Sequence, residues 1–340
     1  MGEKIKQHYI PISYLEKFTT AESLYVFDLV ETKIFTTKPE NVAHVRDFYS
    51  VDTNGKSKQN VIEDYFAEVE GKSKPVIGEF VSSMKIPNKR DWAIIAEFIA
   101  GMHLRVPDFR QKQLEMSQYF IDLMNYFSFS TKEAYENTCK RYEKDTGEKL
   151  NITYEATKTF VEKPELYQII LHQNEYIQMI FQLMPIITHA ISNMTPYLLF
   201  ATGEARFVTS DNPVILMDTN PKRPPYLGYG WYTKTVNVYF PLSPYACLVL
   251  AWEGEYHALP ANDMSVSILN SNIGFFATRY VFSKEKEISW YKSKEVNRND
   301  KGFLKEFVKE EKDRKSSVVS GPIPQTLRPI SLNLLRRSAY

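Results

Sequence analysis

Seven side chains in this sequence are of types that do chemistry on charged substrates: His8, Glu63, Glu70, Arg105, Arg110, Asp211 and Asn212. Glu63 and Glu70 stand seven apart in a stretch of helical period, so two turns of helix bring both carboxylates to one edge. Asp211-Asn212-Pro213 closes a strand-like run over 206–209, and the proline holds Asn212 extended while the chain turns away. A carboxylate at such a corner either serves an Asx turn or points into a cleft as metal ligand or general base. Grouped with Glu63 and Glu70, Asp211 would offer the oxygen ligands that Mg²⁺ or Mn²⁺ prefers, and such ions activate water for phosphodiester hydrolysis. His8 could act as base or ligand. Arg105 and Arg110 could clamp a phosphate or carboxylate, with Asn212 beside them as a further substrate contact. Each residue also has a plainer role. In that reading the glutamates are a solvated helix edge, His8 is a packing residue, and the arginines are partners of Glu63, Glu70 or Asp211 in an internal ion network.

These groups need elements to bring them together. Pro11 suits a helix start, with Tyr14, Leu15 and Phe18 on one face and His8 on an extended segment just before it. Runs at 24–29 and 33–37 read as a hairpin, 45–51 as a further strand, and Asn54-Gly55 as a turn. From Val61 the period becomes helical, with Pro75 expected to kink or break the helix. Residues 91–104 are apolar nearly all round, the pattern of a buried helix, so Glu97, His103 and Arg105 are carried into or beside the interior and need partners. Residues 110–148 read as more solvated helix. A long helix from Pro164 to about Asn193, interrupted at Pro185, carries Glu175, Gln182 and His189 as a polar line, read as a seam between helices. After Pro196 the texture is β. Gly203-Glu204 signals a hairpin, 219–232 is a Pro/Gly/Tyr-rich loop that could act as a lid, and 235–240, 246–252 and 275–282 are strands around a helix at 261–272. From Lys301 a charged helix leads into a Ser/Pro-rich arm.

Composition narrows the classes. With 340 residues, 43% hydrophobic and 24% charged, the chain is an ordinary globular one. A net charge of +1 gives no global field toward nucleic acid or an anionic membrane. Cys139 and Cys247 have neither zinc nor redox spacing and read as reduced thiols. The N-terminus lacks the apolar core of a signal peptide, and the most apolar run, 177–200, is too polar to span a membrane, so a cytoplasmic protein is expected. There is no Gly-rich phosphate loop and no Gly-x-Ser-x-Gly elbow.

The motifs together resemble a widespread bacterial family of unknown function. Its members open with His-Tyr-x-Pro-x-x-Tyr-Leu-x-x-Phe, here His8 to Phe18. They carry an Asp-Phe-Tyr (Asp47-Phe48-Tyr49), a helix with two glutamates (Glu63, Glu70) and a His/Gln-x-Arg-x-Pro-x-x-Arg segment (His103 to Arg110). A Phe-x-Thr-Ser-Asp-Asn-Pro-Val corner (Phe207 to Val214) and a Pro-Leu-Ser-Pro (Pro241 to Pro244) complete the set. The resemblance spans residues 6 to about 282 and implies a mixed helical and β fold, without an activity.

The expected fold is α+β. A helical body over 60–195 packs against a mainly antiparallel sheet drawn from 197–282 and the N-terminal hairpin, as one domain over 1–285 with a helix and arm after it. The expected site lies where body and sheet meet. The functional expectations are a metal-assisted hydrolase using Mg²⁺ or Mn²⁺ on nucleic acid or a nucleotide, a binding or sensor module for an anionic ligand in a toxin or phage-defence setting, or a purely structural polar network.

Overall fold

The computed structural model describes residues 6–46, 51–53, 56–59, 61–163, 172–224 and 227–309. Asp47-Phe48-Tyr49, the Asn54-Gly55 turn, the helix start at Pro164 and the arm beyond residue 309 lie outside the described residues. In chain order, β1 (Lys6–His8) and α1 (Ile12–Leu15) precede the hairpin β2 (Leu24–Asp28) and β3 (Lys33–Thr37). Short strands β4 (His44–Arg46), β5 (Val51–Thr53) and β6 (Lys56–Gln59) follow. The helices are α2 (Val61–Ser83), α3 (Lys89–Leu104), α4 (Pro107–Phe129), α5 (Lys132–Thr146), α6 (Tyr154–Val161) and α7 (Gln173–Ser192). Then come β7 (Thr195–Ala201), β8 (Thr209–Ser210), β9 (Ile215–Asp218), β10 (Val236–Ser243), β11 (Ala246–Ala251) and β12 (His257–Ala261). The last are α8 (Asp263–Phe276), β13 (Tyr280–Ser283), β14 (Ile288–Lys292), β15 (Glu295–Asn299) and α9 (Asp300–Glu306).

The fold is α+β, a helical body with mainly antiparallel sheets. It divides into two compact units, Met1–Phe109 with Gln173–Tyr340, and Arg110–His172. The expected single sheet is two. One has the order β12-β7-β11-β10-β9, antiparallel except for β12 beside β7, and the other is β3-β2-β13-β8, so the N-terminal hairpin joins strands from the far end of the chain. The expected hairpin at Gly203-Glu204 is not one, because β7 and β8 belong to different sheets. The connection is held instead by Asp263, whose carboxylate accepts the Ala205 N–H at 2.8 Å, and by the Phe207 N–H donating to the Pro244 carbonyl at 2.9 Å.

The core explains why these segments settle where they do. Phe27, Leu199, Phe207, Val249, Val281, Trp290 and Phe303 are all buried in one cluster, so residues beyond 285 contribute to it directly. α3 is buried as its all-round apolar sequence requires, from Trp92 through Leu104, and starts under an Asn88 cap whose side chain accepts the Arg90 and Asp91 N–H groups at 3.0 Å each. α2 and α7 run on through Pro75 and Pro185 without ending. The polar line on α7 is no internal seam: Glu175, Gln182, His189 and Asn193 are exposed, Asn193 donates to the His189 carbonyl at 2.7 Å within the helix, and the His189 ring meets the loop residue Tyr232 across 3.1 Å. Among the described residues no helix is long and apolar enough to cross a membrane.

Candidate functional site

The N-terminal motif builds one wall of a cavity. β1 pairs antiparallel with β4 in the register His8 to His44, and their rings meet edge-on at 5.3 Å. Strand alternation then separates neighbours. His8 faces the cavity, while Tyr9 is buried and lies close enough to Asp211 for that carboxylate to raise its phenol further, after burial has already raised it. Pro11 leads into α1, whose Tyr14 is fully buried. Its hydroxyl donates to the Pro241 carbonyl at 2.6 Å and shares a 2.8 Å hydrogen bond with Thr209 Oγ1. One side chain of the opening motif thus joins the Thr-Ser-Asp-Asn-Pro corner to the Pro-Leu-Ser-Pro segment.

The opposite wall is helical. α2 turns Glu63, Phe66 and Glu70 inward, and α3 delivers Arg105 at its C-terminal end. Arg105 Nη1 donates to Glu70 Oε1 at 2.7 Å, and the guanidinium lies 5.2 Å from the Phe66 ring centroid. The Arg105 side chain is 3% exposed and that of Glu70 26%, so this ion pair has one closed and one open side. Gln7 Nε2 donates to Glu63 Oε2 at 3.0 Å. Between the walls is a cavity of ≈ 420 Å³, also edged by Glu16 and Lys74, within the size range of small-molecule sites. His8 is held below its ordinary pKa of 6.5, chiefly by burial; Arg105 adds to the fall and a contact with the Glu40 carbonyl opposes it. The imidazole is therefore neutral at pH 7 and can accept a proton.

The structure brings His8, Glu63, Glu70 and Arg105 together around one cavity, which Asp211 and Asn212 do not line. Asp211 does not line the cavity. Its carboxylate is buried and accepts three backbone N–H groups, from Thr278 at 2.8 Å, Arg279 at 2.7 Å and Tyr280 at 2.9 Å. Burial raises its pKa to about 6 against the pull of those donors, with Asp108 contributing to the rise. Asn212 is likewise structural, donating to Asp108 Oδ2 at 3.1 Å and to the Phe276 carbonyl at 3.2 Å. Arg110 opens the second unit and is half-buried. The 219–232 loop closes over other parts: Trp231 lies edge-on to His103 at 5.1 Å, and Tyr232 donates to the Ile186 carbonyl at 3.2 Å. Among the described residues no three His, Cys, Asp or Glu side chains stand where one metal ion could bind them all. Glu63 and Glu70 line the cavity and Asp211 does not.

A family model for proteins of unknown function, DUF4238, matches residues 6–287. The chain belongs to the DUF4238 family. No curated protein and no solved structure matches it. In this DUF4238 chain the matched span includes every residue lining the cavity as well as the Asp211 corner. Sequence reasoning passed over Gln7, Phe66 and Asp108, which hold or flank the site residues. Gln7 adjoins His8 and Asp108 lies between Arg105 and Arg110, so proximity to the motif residues was the available signal. Glu16 and Lys74 gave none, since a charged residue at the edge of a helix is ordinarily solvated.

Proposed function

We propose that this protein is a binding module whose cavity takes a small ligand carrying one anionic group together with hydrogen-bond donors. The observation that carries this reading is the Arg105–Glu70 pair, closed on the arginine side and open on the glutamate side, in the wall of a cavity large enough for such a molecule. A carboxylate or phosphate entering there competes with Glu70 for the guanidinium, whose planar fork suits either anion. Lys74 supplies a second cation at the edge. Glu16 and Glu63 would accept from hydroxyl or amino groups on the same ligand, and their negative charge disfavours a bare anion. Mononucleotides and amino acids have this chemistry. Thermal shift and calorimetry with a panel of both classes test the reading. Expected is a rise in Tm with a ligand in wild type, lost in Arg105→Gln, and no turnover of that ligand. Equal shifts in both proteins, or none in wild type, would remove it.

A metal-assisted hydrolase of nucleic acid or nucleotides is a second reading, supported by Glu63 and Glu70 lining the cavity, at most two carboxylates to hold the ion, with neutral His8 as the base. Calorimetry with Mn²⁺ on wild type and Glu63→Gln separates it from the first. Metal binding that Glu63→Gln abolishes favours it; equal binding, or none in either, counts against it.

A further inference from the structure

Among the described residues, α4 of the second unit has a broad exposed apolar face. On α4, Met116, Tyr119, Phe120, Leu123, Met124 and Phe127 are between 37% and 67% exposed. At 3.6 residues per turn these positions fall within an arc of roughly 140°. The opposite side of the same helix is mixed and more enclosed: Gln118 and Asn125 are half-buried there beside Leu114 and Phe129. A surface helix ordinarily keeps its apolar residues on the inward side, whereas α4 carries the larger set of them outward. Side chains of this size at this exposure present roughly 650 Å² of largely apolar surface. A typical monomer's largest patch is about 300–600 Å², and a stable interface buries about 800 Å² per partner.

We infer that this face of α4 is a self-association surface that pairs with the same face of a second copy of the chain across a two-fold axis. Area is one reason: a single helix supplies most of what a dimer interface needs. Spacing is another. Met116, Phe120, Leu123 and Phe127 follow steps of four, three and four, the seam of paired helices, and a second copy offers the identical seam in reverse direction. Charge argues against a lipid surface, because Glu115 and Asp122 lie on the polar side where an interfacial helix would carry Lys and Arg.

Sedimentation of the full chain over a wide concentration range, with and without Phe120→Glu/Phe127→Glu, is the test. The expected result is a dimer for wild type and half that mass for the double variant, with unchanged circular dichroism because neither side chain packs inside its own subunit. Met124→Lys serves as a second probe should the double variant lose its fold. A monomeric wild type, or a dimer that survives both substitutions, overturns the inference. So does a monomeric wild type that co-sediments with anionic phosphatidylserine vesicles, which would assign the face to a membrane.

Discussion

Asp211 has the reactive group of a catalyst and the surroundings of a bolt. Its two oxygens accept three consecutive main-chain N–H groups, which ties the corner to the segment entering β13. Replacing it by asparagine sets an NH₂ against at least one of those donors, and a buried donor without its acceptor costs about 1–3 kcal/mol. Asp211→Asn should therefore lower stability by about 2 kcal/mol in urea denaturation and leave ligand binding in the cavity unchanged. An unaltered denaturation midpoint would refute the structural role. His8 gives the complementary test. Its folded pKa lies below the ordinary 6.5, so the neutral ring contributes stability that is complete above pH 6.5 and lost as pH falls through the lowered value. An NMR titration should place the His8 midpoint below 6.5, and Arg105→Gln, which removes one cause of the depression, should move it upward. A midpoint at or above 6.5 in wild type contradicts the geometry. Both residues were legible in the sequence as chemically capable. Which of them faces a cavity was not, because strand alternation at His8-Tyr9 and the reach of the 278–280 main chain become fixed only by partners far along the chain.

Among the elements, α1 has influence beyond its four residues. Tyr14 packs flat on Phe240 at 5.3 Å while its hydroxyl serves Thr209 and Pro241. Tyr14→Phe keeps the ring, leaves the buried Pro241 carbonyl without its donor and takes away the oxygen that the Thr209 hydroxyl bonds to. It should cost about 1–3 kcal/mol and weaken ligand affinity, since the His8 wall loses its anchor. Thermal denaturation and titration of the same variant check both. α8 offers a packing test. A Cβ added to Gly274 would meet the Phe307 ring at 2.8 Å and the Phe303 ring at 3.0 Å, both in the core. Gly274→Ala should destabilise by about 1–3 kcal/mol by overpacking, despite alanine's better helix propensity. The helices were the most readable elements: the all-round apolar run at 91–104 is α3, buried as expected. The α7 polar line misled because spacing at seven shows that residues share a face without showing what that face meets.

For the whole molecule, Trp290, Phe303 and Phe307 sit in the same buried cluster as Phe27 and Leu199. Each large side chain contributes about 1.5–3 kcal/mol by burial, so together they approach the whole stability of an ordinary domain, about 5–15 kcal/mol. A chain cut after residue 285 should fail to show a cooperative melt by circular dichroism. The motifs gave no hint of this, because they and the family match end by residue 287 while the burial continues to Phe307.

The Tyr14 hydrogen bonds join residues 195 and 227 positions apart. On a ribosome adding about 5–20 residues per second, the opening segment waits roughly ten to forty seconds before Thr209 exists to receive it. The His8 wall is consequently anchored only once Pro241 has been made, and a product stalled or released before that point would carry it without a dock. Slowing translation between codons 20 and 240 should then prolong the protease sensitivity of the first twenty residues, while slowing it after codon 310 should not.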